Sequence, residues 1–420
     1  MNPIWLAASI FVITYAVIVS ERIDRTLAAL LGGMLMILSG VVSQEQAFNS
    51  IDWNVIFLLA GMMIIANLLR ETGLFQWIAV KAVRLGNDEP FRILLILSAI
   101  TAIASALLDN VTIVILVAPV TLIVAASLRV SPIPFLIAEI LASNIGGSAT
   151  LIGDPPNILI GSAAGYDFMT FARNMAPIAG IILIAFLGIA WYLFRKPLIG
   201  EHGSTHDFDA FDTAALITNK PLLIKGAVVM MGVMIGFIAH GALHIEPATI
   251  AFTGATILLL WGGKDVHHAL RDVEWVTLFF FIGLFITVEA LVEVGLIEMA
   301  SRALLDLTGG QLQTTAMLLL WMSSIASGIV DNIPYTTAMI PIVQNLGKTM
   351  PADPLWWSLA LGACLGGNAT LVGASANIVV ANLATRSGYP ISFFGFLRYG
   401  LITSFISLIL ASVYVWVRYL

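Results

Sequence analysis

Apolar runs of roughly 16 to 20 residues recur along the whole chain, beginning with Ile4 to Val19, and a helix of about 20 residues crosses the hydrocarbon core of a bilayer. A lipid-spanning barrel would alternate apolar and polar positions, and Ile93 to Leu108 does not. Backbone polar groups in lipid must bond within their own segment, so the runs predict helices. In the first half they fall at 4–19, 27–42, 54–70, 133–165 and 175–194, and in the second at 222–240, 246–262, 275–291, 355–387 and 396–418. Two of these are interrupted. Gly146 to Asn157 and Gly366 to Asn377 are rich in Gly, Ser, Thr and Asn, and the first also carries Asp154-Pro155-Pro156. Proline lacks the N–H and glycine weakens a helix, so the backbone unwinds there, which membrane proteins tolerate only around a protein-lined or watery cavity. Between the third and fourth spans of each half lie two apolar arms joined at Asp-Asn, 91–108 with 111–128 and 314–330 with 333–347. Each pair predicts a hairpin that enters and leaves by one side. Glu71 to Gly86 and Glu293 to Leu307 space their apolar residues as surface-lying helices do.

The two halves are copies. Gly32, Gly61, Asp109 and Asn110 meet Gly254, Gly283, Asp331 and Asn332 at a constant offset of 222, and Gly146 to Gly153 with Asn157 meet Gly366 to Gly373 with Asn377 at 220. An internal duplication with an odd number of spans per half implies copies of opposite orientation, the inverted-repeat plan of many secondary transporters. The first repeat occupies 1–194 and the second 222–420, and 195–221, with Glu201 to Asp207, has the composition of a cytoplasmic linker. Lysine and arginine gather in cytoplasmic loops. With both termini outside, Arg173, Arg302, Lys348 and Arg418 are the four outer ones of 19, which leaves 15 within. Trading hairpins for full pairs of spans would leave that ratio unchanged.

Composition agrees with the pattern: 59% of the 420 residues are apolar and 10% charged, where soluble domains carry about a quarter charged. The net charge of −6 is spread thinly, without the polybasic cluster that nucleic acid or anionic lipid would require. Cys364 is the sole cysteine, which rules out an internal disulfide and a cysteine metal cage. Nothing in the sequence requires a cofactor. The first apolar run lacks a positively charged lead, so it reads as a retained span in an inner-membrane protein.

The candidate chemistry sits at the hairpin tips and the helix breaks. An ionisable residue at membrane depth is costly enough to imply function, which singles out Asp109-Asn110 with Thr112 and Asp331-Asn332. Each aspartate also suits the N-cap of the following helix, and the two roles are compatible. In the breaks, Asn144, Gly147, Ser148, Thr150 and Asn157, with Asn368, Thr370, Ser375 and Asn377, offer uncharged donors and acceptors beside half-helix ends. Asp154 has no counterpart, since Ala374 stands at its place. It reads equally as a proton carrier and as a residue ordering the turn before Pro155. Cys364 suits a thiol-seeking solute or is a small apolar filler. Asn67, Glu139 and Glu289 read first as helix-contact residues, and Gly232 with Gly236 as a close-packing face. His240 and His244 lie a helical turn apart but lack the Glu of a zinc-protease motif, so no metal is assigned.

Ala106-Leu107-Leu108-Asp109-Asn110-Val111-Thr112 and Gly146 to Asn157 resemble the most recognisable segments of the ion transporter superfamily, nearest its arsenite efflux permease and pink-eyed dilution (P) protein branch. The likeness extends over nearly the whole chain. It implies an all-α polytopic fold of two inverted repeats with re-entrant hairpins and broken helices. A scaffold of 1–90 and 222–313 would then face a transport part of 91–194 and 314–420 that moves like an elevator. Dicarboxylate carriers of the superfamily carry Ser-Asn-Thr where this chain has Asp109-Asn110-Val111 and Asp331-Asn332-Ile333, and added carboxylates favour protons or cations over a dianion. The resemblance therefore implies efflux of arsenite or antimonite by proton-coupled antiport, with sodium/proton antiport as the alternative. A soluble ATPase subunit and a second copy of the chain stay open as partners. An intramembrane protease with an Asp109/Asp331 dyad fits the matched glycine-rich breaks poorly, and a channel fits inverted halves less well than a carrier.

Overall fold

A computed structural model describes residues 2–20, 22–87, 89–198 and 216–420, and all its regular elements are helices. The first half opens with α1 (Pro3–Ser20), α2 (Arg25–Leu38), α3 (Gln44–Asn49), α4 (Trp53–Arg70) and α5 (Leu74–Leu85). It continues with α6 (Pro90–Ser105), α7 (Asn110–Leu128), α8 (Ile133–Gly147), α9 (Pro155–Ala164) and α10 (Phe168–Leu198). The same order then recurs. α11 (Lys220–Leu243), α12 (Pro247–Gly262), α13 (Val266–Arg271), α14 (Trp275–Glu293) and α15 (Leu296–Thr308) answer the first five. α16 (Leu312–Ile329), α17 (Asn332–Leu346), α18 (Asp353–Gly366), α19 (Ser375–Arg386) and α20 (Phe393–Tyr419) answer the rest. The linker motif Glu201 to Asp207 lies outside the described residues.

Among the described residues, 8 helices are long and apolar enough to cross a bilayer: α1, α4, α7, α10, α11, α14, α16 and α20. The chain is a multi-pass membrane protein. Sequence periodicity places a span at 27–42, but α2 has only 14 residues, because Gly40 adopts φ +73° and turns the chain away. α12 likewise stops at Gly263, whose φ is +64°. The short α3 and α13 escape a reading based on long apolar runs. Their signal is local: Ser43 and Gln46 form a reciprocal capping box, and Asp265 caps α13.

Packing repeats with the sequence. α4 lies on α12 as α14 lies on α2, α6 on α8 as α16 on α18, and α9 on α17 as α7 on α19. Glycines permit the closest of these approaches. A Cβ on Gly61 would come within 2.8 Å of the Ala251 carbonyl carbon, and one on Gly283 within 2.5 Å of that of Ala29. Ala29 and Ala251 are themselves counterparts at the offset of 222, so one contact is made twice. Gly61→Leu or Gly283→Leu would pry these helices apart, at an expected cost of about 1–3 kcal/mol. Thermal unfolding in detergent should register the loss, whereas Gly232→Leu, where a Cβ meets nothing within 4 Å, should change little. The expected Gly232/Gly236 packing face is thus half present: only Gly236 abuts a neighbour, Ile250.

Candidate functional site

The α6–α7 and α16–α17 joints and the breaks at 148–154 and 367–374 meet inside the protein. Unwinding a buried helix frees carbonyls that need donors. Asn157, in the first turn of α9, supplies them: its Nδ2 donates to Gly147 O at 3.0 Å and to Thr150 O at 2.9 Å. Asn377 does the same for Gly367 O and Thr370 O, at 2.8 and 2.9 Å. The threonines then pin each break to its hairpin, Thr150 Oγ1 donating to Ala106 O and Thr370 Oγ1 to Gly328 O, both at 2.6 Å. Tip amides close the arrangement, Asn110 N–H reaching Gly153 O at 3.1 Å and Asn332 N–H reaching Gly373 O at 3.2 Å. Gly147 is required by proximity, since a Cβ there would stand 2.6 Å from Gly153 O.

Side chains join the two halves across this centre. Asn144 Nδ2 donates to Asn368 Oδ1 and Asn377 Oδ1, both at 2.9 Å, while its Oδ1 accepts from Asn110 Nδ2 at 3.1 Å. Cys364 occupies the place equivalent to Asn144, and its Sγ donates to Asn157 Oδ1 at 3.2 Å. Asn332 Nδ2 donates to both oxygens of Asp154, at 3.3 and 3.2 Å. Asp154 lies within electrostatic reach of Asp331 and Asp109. Glu274 in turn lies within electrostatic reach of Asp109 and Arg25, so four carboxyls gather around this centre.

Both tip aspartates cap the helix that follows. Asp109 Oδ1 accepts the Thr112 N–H at 2.9 Å and Oδ2 the Thr112 hydroxyl; Asp331 Oδ1 accepts the Ile333 N–H at 3.1 Å. Among the described residues, Asp331 is the one of the two tip aspartates with a cation beside it. Arg25, from the first turn of α2, donates through Nη1 to Asp331 Oδ2 at 2.8 Å and to Ser375 Oγ at 2.6 Å. Ser148, by contrast, turns its hydroxyl back to Ile145 O at 2.7 Å and takes no part. Among the described residues, Asn110 Oδ1 is buried without a hydrogen-bond donor. The centre is thus rich in acceptors, and the amide groups of Asn144, Asn157 and Asn377 spend both of their donors on the frame.

Sequence reasoning placed the aspartates, asparagines and threonines but passed over Arg25, counting it as one more cytoplasmic charge. The available signal was the repeat itself, which sets Pro247 at the equivalent position. Glu139 behaves as a helix-contact residue. Thr121 Oγ1 donates to its Oε1 at 2.5 Å, and Oε2 has no hydrogen-bond partner among the described residues. The second half has Val343 and Leu359 at those places. Thr121→Val alone should cost about 1–3 kcal/mol by stranding a buried carboxyl, and Thr121→Val with Glu139→Leu should recover most of it, as a double-mutant cycle of thermal midpoints would read.

Elsewhere, His240 Nε2 accepts the Phe168 N–H at 2.9 Å, in a cavity of ≈420 Å³ that His244 and Asp167 also line. Hydrogen bonds from Thr170 hold the Asp167 carboxyl below its ordinary range. Glu71, His268 and Asp272 bring three potential ligand atoms within 4.8 Å of one another, but Lys264 and Arg70 already pair with the two carboxylates.

Comparison with known proteins fits this geometry. Residues 15–362 match the family model described as CitMHS, citrate transporter. The chain belongs to that family, within the ion transporter superfamily. An uncharacterised transporter of Mycobacterium tuberculosis is 46% identical across 99% of this chain and 98% of its own length. The 46 kDa membrane protein of Mycobacterium leprae is 44% identical over 99% of both. The P protein of Homo sapiens is 33% identical over 95% of this chain, which spans 58% of that protein. In fold, the Alcanivorax borkumensis YdaH transporter superposes with a TM-score of 0.63 over 99% of this chain and 98% of that one, at 13% identity. This CitMHS family member is a membrane transporter and not an enzyme.

Proposed function

We propose that the chain is a proton-coupled antiporter that exports arsenite, and antimonite with it, across the inner membrane. The observation that carries this reading is the cluster of buried acceptors at the centre: Asp109, Asp154 and Asn110 Oδ1, which accepts from no donor among the described residues. A polyanion such as citrate would meet like charge there. At 4 Å and an effective dielectric near 20, each such pair is repelled by about 4 kcal/mol. Arsenous acid is mostly uncharged near neutrality and donates through its hydroxyls, which suits acceptors. Asp109 and Asp154 exchange the coupling protons, and the Cys364 thiol, buried against Asn157, adds a group with affinity for trivalent arsenic.

In this reading the halves are mutually inverted, with both termini outside. The segments 1–90 and 222–313 form a scaffold past which 91–194 and 314–420 slide, carrying re-entrant hairpins and broken helices. The lysine and arginine bias and the reciprocal helix contacts support it.

A second reading, sodium/proton antiport, is favoured by the same oxygens, since carboxylate and amide oxygens suit a hard cation. Reconstituted vesicles separate the two. Proton-coupled export predicts saturable arsenite exchange that follows an imposed pH gradient. Sodium exchange with no arsenite movement under either gradient direction would overturn the arsenite reading in favour of the second.

A further inference from the structure

The two hairpin tips are equivalent by duplication, yet their carboxylates are compensated differently. Asp331 accepts three hydrogen bonds, one of them from a cation. Oδ2 takes the Arg25 guanidinium at 2.8 Å and the Ser375 hydroxyl at 2.6 Å, and Oδ1 takes the Ile333 N–H at 3.1 Å. Its counterpart Asp109 accepts from Thr112 and, among the described residues, from no cation. Pro247 stands where Arg25 would be repeated and Pro155 where Ser375 would be, so the first copy has neither the guanidinium nor the hydroxyl. Conversely, Asp154 has the apolar counterpart Ala374. Each departure from symmetry acts in one direction: it leaves Asp109 and Asp154 without a fixed positive partner and gives one to Asp331.

From this we infer that Arg25 is a tethered cation that fills the second of two equivalent cation positions, so that mobile ions are taken up at Asp109 and Asp154 and not at Asp331. The inference rests on the cation-exchange reading given above and deepens it by fixing which carboxyls couple. Several features hold the guanidinium in place. Asp24 N-caps α2, which sets the first turn from which Arg25 projects. The Arg25 Cζ lies 5.1 Å from the Phe280 ring centroid, within cation–π range. Its side chain is 29% exposed where the Asp331 side chain is 8% exposed, so the charge is delivered from a wetter edge to a drier one. That edge is a cavity of ≈390 Å³ lined by Asp24, Arg25, Asp331, Ser375 and Asn382. If the guanidinium is removed, the cavity leaves a route by which a small cation reaches Asp331. Arginine suits this post because Nη1 alone carries two N–H donors, one for the carboxylate and one for the hydroxyl, and the guanidinium does not deprotonate.

The test counts cations on the purified full-length protein: retention of radiolabelled sodium, together with the infrared carbonyl stretch of protonated carboxyls, at one fixed pH. Arg25→Gln is expected to bind one further cation equivalent per chain than the wild type, as sodium or as a proton. Arg25→Gln/Asp331→Asn should return to the wild-type count, and Arg25→Lys should leave it unchanged. An Arg25→Gln protein with the wild-type count, or a surplus that persists in the double variant, would overturn the inference. Should Arg25→Gln fail to fold, the double variant removes both charges and is expected to fold and bind as the wild type does. A double variant that folds but has lost its cations would contradict the assignment. Wild-type protein that binds no cation at all would defeat the cation-exchange reading, while the difference between wild type and Arg25→Gln would still judge the role of Arg25.

Discussion

Asp109→Asn and Asp154→Asn are each expected to keep the fold and to lose gradient-driven exchange by roughly 100-fold, the scale of a coupling free energy near 3 kcal/mol. Asparagine is close to aspartate as an N-cap, so position 109 keeps its bond from the Thr112 N–H and α7 keeps its start. At position 154 an amide oxygen still accepts from Asn332 Nδ2, in place of the two carboxylate oxygens. What each substitution removes is the negative charge. Were capping or turn formation the whole role, exchange would persist with the fold. Flux in vesicles, measured beside thermal midpoints of the same preparations, therefore separates a coupling carboxyl from a structural one.

Gly146→Val and Gly366→Val should yield almost no monodisperse protein. A Cβ at 146 would sit 2.0 Å from Ala102 O, and one at 366 would sit 2.4 Å from Ser324 O. Both obstacles are backbone of the first hairpin arm, which cannot step aside as a side chain would. Overpacking usually costs about 1–3 kcal/mol and more where nothing can yield, so about 3 kcal/mol or above is expected at each site. Gly180→Ala, with nothing within 4 Å of the added carbon, should purify as the wild type. Size-exclusion profiles of the variants expressed side by side provide the check.

The legible part of the molecule was what duplication and solvent preference write into sequence. Apolar runs gave some helices nearly to the residue, 54–70 being α4 over Trp53–Arg70 and 133–165 dividing into α8 and α9 at the glycine-rich break, but 175–194 fell short of α10, which spans Phe168–Leu198. Matching Asp-Asn pairs and matching breaks named most of the centre before any coordinate was at hand. What escaped depends on partners far apart in the chain. Arg25 meets Asp331 across 306 positions, and no local pattern marks an arginine at a helix start as a ligand to a distant carboxylate. Asn144 and Cys364 stand out singly in the sequence, but not as the equivalent pair that ties one half to the asparagines of the other. Ser148 misled because composition cannot tell a hydroxyl that satisfies its own helix from one that faces a pocket.

One measurement bears on the central claim, that Asp109 and Asp154 exchange ions at a buried centre to which both copies of the repeat contribute. Proteoliposomes of wild type and Asp154→Asn are loaded with arsenite, and efflux is followed under an inward proton gradient, with and without external arsenite. The account predicts that wild-type efflux saturates, rises with the gradient and is stimulated by external solute, and that the variant shows neither effect. Identical efflux from both proteins, linear in concentration and indifferent to pH, would contradict it.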